Sequence, residues 1–485
     1  MRPFAPGAGV DEWRKICLGG RVMQETCHWI QKRVGGDWIG SVSDRHLLVD
    51  GVSTDTRMPM TNRLFVPLIG TRFDGHDFLA DAVKQGAAAA LWQRDHPHPE
   101  PSPIPLIQVD DTLKALQELA AAVRREWEIP VVGVTGSNGK TTTKELISGI
   151  LSSRYRVHKT EGNLNNHIGL PLTLLSAPPD AEAAVVEMGM NHRGEIALLS
   201  RLAAPDIGVI TNVGDAHLEF LGSREGIAEA KLEIREGMSE EGTLIIHGDE
   251  PLLTERIRPE SRKVVRIGWG RENDDFPEEL SVSEEGISFR SAAYGTRFEL
   301  FLPGRHNALN ALMAAAVGRS LGLSEEAIAE GLRRVRPAGM RLETVVAENG
   351  MRIINDAYNA SPTSVRAAID WLADLEPEKE KWVLLGDMAE LGAEEERYHR
   401  EIGRYAVAKG VRRVYTFGDR GKWVAEGAKE AGKGIRVEHF VSLEDAVTTL
   451  RDQGNEDVLL LVKASRMVRL ERVVQDLMKR ESSGT

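Results

Sequence analysis

The sequence predicts an α/β protein of three domains, two of them built on largely parallel sheets. Two observations carry that reading. In two long blocks, short apolar runs alternate with helical patterns, the arrangement in which parallel strands are covered by helices. The first block opens with Val-Val-Gly-Val-Thr-Gly-Ser-Asn-Gly-Lys-Thr-Thr-Thr at 131–143, an apolar strand running through a glycine-rich turn into a helix start. Length agrees: domains commonly hold about 100–200 residues, and this chain has 485.

The first domain is expected over 1–128. A short apolar strand falls at Leu64–Leu68, a helical stretch at Phe78–Ala90, and a proline-rich loop at Pro97–Pro105. A further strand (Pro105–Val109) and an amphipathic helix (Thr112–Trp127) precede Ile129-Pro130, which sets the junction. The second domain, 129–336, carries apolar strands at Val131–Thr135, Ala183–Glu187, Ile207–Asn212 and Thr243–His247. The third, 337–485, repeats the alternation at Arg352–Asn355, Trp382–Leu385, Arg413–Phe417 and Val458–Val462 without a phosphate loop. It reads as Rossmann-like. The acidic run Glu394–Glu396 reads as a solvated helix start.

Composition fits an ordinary globular protein, with 41% hydrophobic and 28% charged residues. No apolar run approaches the roughly 20 residues that cross a bilayer, and Asp11, Glu12, Arg14 and Lys15 interrupt any export signal, so a cytoplasmic protein is expected. A net charge of −12 argues against general nucleic-acid binding. Cys17 and Cys27, the two cysteines, can form neither a disulfide framework nor a cysteine-only zinc site and read as structural or incidental.

The turn at 135–142 (Thr135, Gly136, Ser137, Asn138, Gly139, Lys140, Thr141, Thr142) is a phosphate cradle, which makes the central domain P-loop and ATPase-like. Backbone N–H groups and the positive end of the following helix surround a polyphosphate, Lys140 reaches its outer phosphates, and the Thr141 hydroxyl can ligate magnesium. The spacing departs from the strict pattern: Val134 stands where a glycine is usual, and the glycines fall at Gly133, Gly136 and Gly139. Ligands of parallel sheets gather at the carboxyl ends of strands, where Glu187 and, beyond Asn212, His217 stand. A carboxylate there suits a hard cation bridged to phosphates; the alternatives are a turn cap for Glu187 and a structural histidine for His217. Lys231 sits in a helical pattern and by sequence alone is a surface lysine. Asp55, Thr56 and Arg57, after Thr54, combine hydrogen-bonding groups with a cation, as uridine diphosphate recognition needs, or else form a turn held by its own side chains. The loop bearing Asn163, Asn165 and Asn166 offers amides to a sugar or peptide, though asparagine also favours turns for local reasons.

These stretches together resemble the Mur ligase family, ATP-dependent enzymes that form amide bonds in peptidoglycan precursor synthesis. The likeness covers nearly the whole chain after about residue 45. It runs through Ser53–Arg57, Phe73-Asp74-Gly75-His76, the phosphate turn, Gly162–Asn166, Ile168–Pro171, Glu187–Met190, Thr211–His217, Gly304–Asn310, Arg341-Leu342-Glu343 and Asp356–Pro362. The last is the most discriminating, and it resembles the branch that joins D-alanyl-D-alanine to UDP-N-acetylmuramoyl-tripeptide. The resemblance implies ATP as cofactor and those two substrates as partners, with two magnesium ions. It implies that Thr141 and Glu187 hold one ion and His217 helps to hold the second, and that Lys231 is the position family members carbamylate. It further implies Asn307 and Asn310 near adenine, Arg341 directed at phosphate, Asp356 near ribose, and Tyr358 and Asn359 near the dipeptide. Two departures stand out: Met340 precedes Arg341, and Ala464 lies in Lys463-Ala464-Ser465-Arg466, where glycine is more usual. A relative taking a single amino acid, such as a folylpolyglutamate synthase, and a nucleotide-dependent switch are the competing readings.

Overall fold

The structure is a computed structural model that describes residues 23–257, 263–337, 339–432 and 434–478. Cys17 lies outside them.

The N-terminal domain is a five-stranded sheet in the order Asp37–Ile39, Leu106–Val109, Ala89–Gln93, Leu64–Phe65, Val52–Ser53. Its first pair is antiparallel and the rest parallel. The expected strand Leu64–Leu68 stops at Phe65, two residues before Pro67, which has no N–H for a ladder. The expected helix Phe78–Ala90 covers only Leu79–Lys84. Gly86, at φ +93°, turns the chain, and Ala89 begins a strand buried through Trp92. The alanine run there has the local propensity of a helix, and propensity does not register burial in a sheet. The helix Thr112–Arg125 is set by Asp111, whose side chain accepts from the Lys114 N–H. Cys27 is fully buried, and burial pushes its thiol up to about 11.

The central domain is a six-stranded, all-parallel sheet ordered Lys263–Ile267, Thr243–His247, Ile207–Ile210, Val131–Thr135, Ala183–Glu187, Val157–Lys159. The strand expected at Ile207–Asn212 ends at Ile210, so Thr211 and Asn212 are released to bond the phosphate loop. Val131–Thr135 lies at the sheet's centre and is buried at every position. The helix Asn307–Ser320 is buried continuously from Asn307 to Gly318; an apolar helix of this kind is a core element, not a surface one. It packs on Lys140–Leu151, the helix that opens at the phosphate loop. One apolar cluster runs from Ile30, Ile107 and Leu116 of the first domain to Leu170, Leu174 and Leu199 of the second. Arg124 strengthens that seam by donating to the carbonyls of Ala203 and Ala204 at the end of the helix Glu195–Ala203.

The C-terminal domain is a six-stranded sheet ordered Glu343–Val346, Arg352–Asn355, Val458–Lys463, Glu380–Leu385, Arg413–Phe417, Arg436–Phe440. Only Glu343–Val346 runs antiparallel. Glu394–Glu396 sits at the start of the helix Glu395–Ala408, where Arg397 and Arg400 pair with Glu394 and Glu396.

Candidate active site

The carboxyl ends of the central and C-terminal sheets face one cleft of about 1010 Å³. On the central side its floor is the phosphate loop. Gly136 (φ +150°) passes so close to Thr211 that an added Cβ would lie 1.8 Å from the Thr211 Oγ1, and at Gly139 (φ +81°) it would lie 2.9 Å from the Asn310 Oδ1. Both positions therefore need glycine. Gly133 has a different task, letting Met188 and Pro205 pack against the strand, which accounts for the unusual glycine spacing. The loop is cross-braced: Thr211 Oγ1 donates to the Asn138 carbonyl at 2.6 Å, the Asn138 N–H to Asn212 Oδ1 at 3.0 Å, and the Gly214 N–H to Ser137 Oγ at 2.9 Å.

Lys140 Nζ folds back on its own loop, donating to the Gly136 carbonyl at 2.8 Å. Burial lowers its pKa, against the attraction of Glu187. Thr141 Oγ1 donates to Glu187 Oε2 at 2.9 Å, and Asn165 Nδ2 donates to Glu187 Oε1 at 2.8 Å. Glu187 is thus held at both oxygens beside a hydroxyl, an all-oxygen pair that suits a hard cation. His217 lines the same cleft. Its Nδ1 is 2.5 Å from Glu390 Oε2, off the line of an ideal ring hydrogen bond, and this contact holds the Glu390 carboxyl below its usual range. Lys231 is not on the surface: it is 1% exposed, and burial, then the Lys140 ammonium, push its pKa well below that of an ordinary amine.

The C-terminal domain supplies the opposite wall. Arg341 donates to Thr141 Oγ1 at 3.1 Å and lies over the Tyr358 ring at 4.1 Å. Asp356 Oδ2 accepts from Lys463 Nζ at 2.5 Å, and the same ammonium donates to the Asn359 carbonyl at 2.9 Å. Asn307, Asn310, Asn163, Asn166 and Asn359 also line the cleft. Asn310 donates to Asn307 Oδ1, and Asn307 to the Pro303 carbonyl. Ser361 and Thr363 reach Asn138 and Asp215 across the gap. Met340 has φ +60° and Leu342 φ +53°, so Arg341 is flanked by two left-handed residues other than glycine, whereas Ala464 is free of that strain.

Thr54–Arg57 stand apart from this cleft, in the N-terminal domain. Arg57 there grips Asp55 with two bonds, at 2.8 and 2.6 Å, which is the self-held turn. A second polar cluster, Asp74, His76 and His96, has metal-like proximity, but its atoms are engaged. His76 Nε2 accepts from the Gln93 N–H, so Nδ1 carries the proton offered to Asp74 at 2.6 Å. His96 faces Asp95 and Asp74 through its two nitrogens, and those carboxylates raise its pKa. Every ring nitrogen of the two histidines already faces an N–H or a carboxylate, and Asp74 caps the short helical turn Gly75–Phe78 by accepting from the His76 N–H.

The cleft also contains residues with weak sequence signals. His247, Trp269 and His306 line it near Asn307, and only His247 ends an expected strand. Glu390 lies in the loop Gly386-Asp387-Met388-Ala389-Glu390 beyond the apolar strand Glu380–Leu385, where Asp387 is the carboxylate nearer the strand end.

Three family descriptions match in chain order: "Mur ligase family, catalytic domain" at 48–124, "Mur ligase middle domain" at 134–318 and "Mur ligase, glutamate ligase domain" at 340–466. The chain belongs to the Mur ligase family. The UDP-N-acetylmuramoyl-tripeptide–D-alanyl-D-alanine ligase of Bacillus subtilis is 48% identical over 89% of this chain and 94% of its own length. That of Escherichia coli is 38% identical over 90% and 96%. Among solved structures, MurF from Acinetobacter baumannii matches with a TM-score of 0.86 at 30% identity, covering 95% of this chain and all of that one. MurF ligase from Thermotoga maritima, solved with ADP, matches with a TM-score of 0.78 at 30% identity over 88% and 97%. A folylpolyglutamate synthase at 18% identity shares the Mur ligase fold.

Proposed function

We infer that this chain uses ATP to join D-alanyl-D-alanine to UDP-N-acetylmuramoyl-tripeptide, forming the pentapeptide precursor of peptidoglycan. The observation that carries the reading is a cleft in which a phosphate loop and a carboxylate–hydroxyl pair from one sheet meet an arginine and an aspartate from another. The named relatives cover nearly the whole chain and make the same choice of substrates. The single-amino-acid alternative has support only from likeness of fold, at 18% identity.

A carboxylate does not condense with an amine in water until one oxygen becomes a good leaving group. In this reading the terminal carboxylate of the tripeptide attacks the γ-phosphorus of ATP, releasing ADP and leaving an acyl phosphate. The amine of D-alanyl-D-alanine then attacks the acyl carbon; phosphate departs, the nitrogen loses a proton, and an amide remains. Lys140, the loop N–H groups and Arg341 balance the phosphate charge as two anions approach. Thr141 and Glu187 fit a magnesium ion, and His217 a second; such ions would offset charge on the transferring phosphoryl group. Asn307 and Asn310 serve adenine, Asp356 the ribose, and Asn163, Asn165, Asn166, Tyr358 and Asn359 the sugar-peptide and dipeptide. The depressed pKa of Lys231 favours the neutral amine, the form that adds carbon dioxide to give a carbamate.

In the same proposal, 1–128 binds the UDP end through Thr54–Arg57, 129–336 binds ATP and 337–485 closes the site. Its substrates fit a cytoplasmic enzyme, and among the described residues no helix is long and apolar enough to cross a membrane. The test is phosphate release with magnesium, ATP and the UDP-tripeptide, with and without D-alanyl-D-alanine, following the nucleotide product by mass. Release that needs the dipeptide and yields the pentapeptide supports the reading. Turnover indifferent to both substrates would favour a switch.

A further inference from the structure

Glu390 crosses from the C-terminal domain to His217 of the central domain, and the crossing is built at both ends. On its own side, the loop after the strand Glu380–Leu385 is fixed by four bonds. The Gly386 N–H donates to the Lys463 carbonyl at 3.0 Å, Met388 N–H to His399 Nε2 at 2.9 Å, Ala389 N–H to Ser465 Oγ at 2.9 Å, and Ser465 N–H to the Asp387 carbonyl at 2.9 Å. At the far end, the Glu219 N–H donates to the Glu390 carbonyl at 3.2 Å, alongside the 2.5 Å contact from Glu390 Oε2 to His217 Nδ1. Gly392 lets the two backbones meet, since a Cβ there would lie 3.2 Å from the Glu219 Cα. Glu390 (φ +64°) and His217 (φ +67°) are both left-handed without being glycine. Residues persist in that conformation where their surroundings over-determine it, and such places cluster at functional sites.

We propose that Glu390 is a positioning residue for ligation: docking of the C-terminal domain brings its carboxylate to His217 Nδ1, which leaves Nε2 as the ring's lone-pair donor to a divalent cation. A histidine ligand that gives its other ring N–H to a carboxylate has its tautomer and orientation fixed. Here the carboxylate belongs to a different domain from the ring, so assembly of the cation site is coupled to domain docking. An interdomain ion pair with no such role would have no effect on the cation. The proposal rests on the reading of His217 as a cation ligand.

The test is Mn²⁺ binding to the full chain with ADP, read by electron paramagnetic resonance, with spin-echo modulation reporting a directly bound imidazole nitrogen. The protein should show that modulation. Glu390→Ala should lose it and bind Mn²⁺ about 10- to 100-fold more weakly, with kcat reduced and the KM for ATP little changed. Glu390→Gln, which keeps an acceptor for Nδ1–H, should recover most of the affinity. Thermal unfolding of each variant separates these effects from a loss of fold. Unchanged Mn²⁺ affinity and modulation in Glu390→Ala would overturn the proposal if His217→Ala abolishes both. If His217→Ala also leaves both unchanged, the cation reading of His217 fails and the role of Glu390 falls with it.

Discussion

Gly136→Ala probes the phosphate loop without touching any charged group. The added methyl would sit 1.8 Å from Thr211 Oγ1 and 3.0 Å from Thr211 Cβ, on a backbone at φ +150°. Thr211 cannot simply swing aside: it is 2% exposed, and its hydroxyl donates to the Asn138 carbonyl at 2.6 Å. A strained dihedral costs about 1–3 kcal/mol, and forced overpacking about 1–3 kcal/mol more. The expected loss is therefore about 2–6 kcal/mol, divided between stability and ATP affinity according to how far the loop moves. Urea denaturation reads the first part and calorimetric titration with ATP the second. Thr211→Ala removes the nearest atom, so the double variant should be less impaired than the two single losses combined, by about 1 kcal/mol or more. A Gly136→Ala protein within about 0.5 kcal/mol of the parent, and with unchanged ATP affinity, would refute the claim that Thr211 dictates glycine at this position.

Three further outcomes are expected. Lys231→Ala should lower ligation by about 10²–10³-fold with partial return on adding a short carboxylate; a loss that no carboxylate relieves would count against carbamylation. Met340→Gly should be neutral or stabilising by up to about 1 kcal/mol, because relief of a left-handed side-chain residue opposes the extra freedom of glycine when unfolded; denaturation showing a clear loss would mean that the Arg466 contact to the Met340 sulfur matters more than the dihedral. His399 is fully buried, and burial holds its pKa below the usual 6.5 or so. The unfolded chain therefore binds more protons between that depressed value and about 6.5, so the stability His399 confers is full above about 6.5 and lost as pH falls. His399→Gln should flatten the decline of stability between about pH 7 and 5 relative to the parent.

What could be read in advance follows from where the determinants lie in the chain. The strands Val131–Thr135 and Ala183–Glu187 announce themselves because a centrally buried parallel strand is apolar along nearly its whole length, with polar Thr135 and Glu187 only at the carboxyl ends that face the cleft. Edge strands escape the same rule: Val157–Lys159 and Lys263–Ile267 are half-buried, carry charge, and look like loop. The antiparallel trio Pro277–Val282, Ile287–Ser291 and Arg297–Leu300 is masked by Glu278, Glu279, Arg290 and Arg297, which pair with one another on its outer face. Lys231 reads as a surface residue because a nine-residue helix shows no preference for the face bearing it until neighbouring elements cover that face. The contacts of Arg341 with Thr141 and of Glu390 with His217 are made between domains, and the 200-residue separation of Arg341 from Thr141 leaves no local pattern to detect.

The contact between Arg341 and Thr141 also constrains how the site fills. The Thr141 oxygen lies between the Glu187 carboxylate at 2.9 Å and the Arg341 guanidinium at 3.1 Å. A divalent cation held by Thr141 and Glu187 would take the place on that hydroxyl which the guanidinium holds. Two unit charges 4 Å apart repel by about 4 kcal/mol at an effective dielectric near 20, and a double charge raises this to about 8. Arg341 would then have to leave Thr141, and the phosphate accompanying the cation would offer it the negative charge that keeps it in the cleft. The Tyr358 ring, 4.1 Å from the guanidinium, offers a face along which it can turn while remaining over the site. In the proposed reaction Arg341 would exchange the Thr141 hydroxyl for a phosphate oxygen, so that nucleotide loading and docking of the C-terminal domain would share one exchange of charge partners.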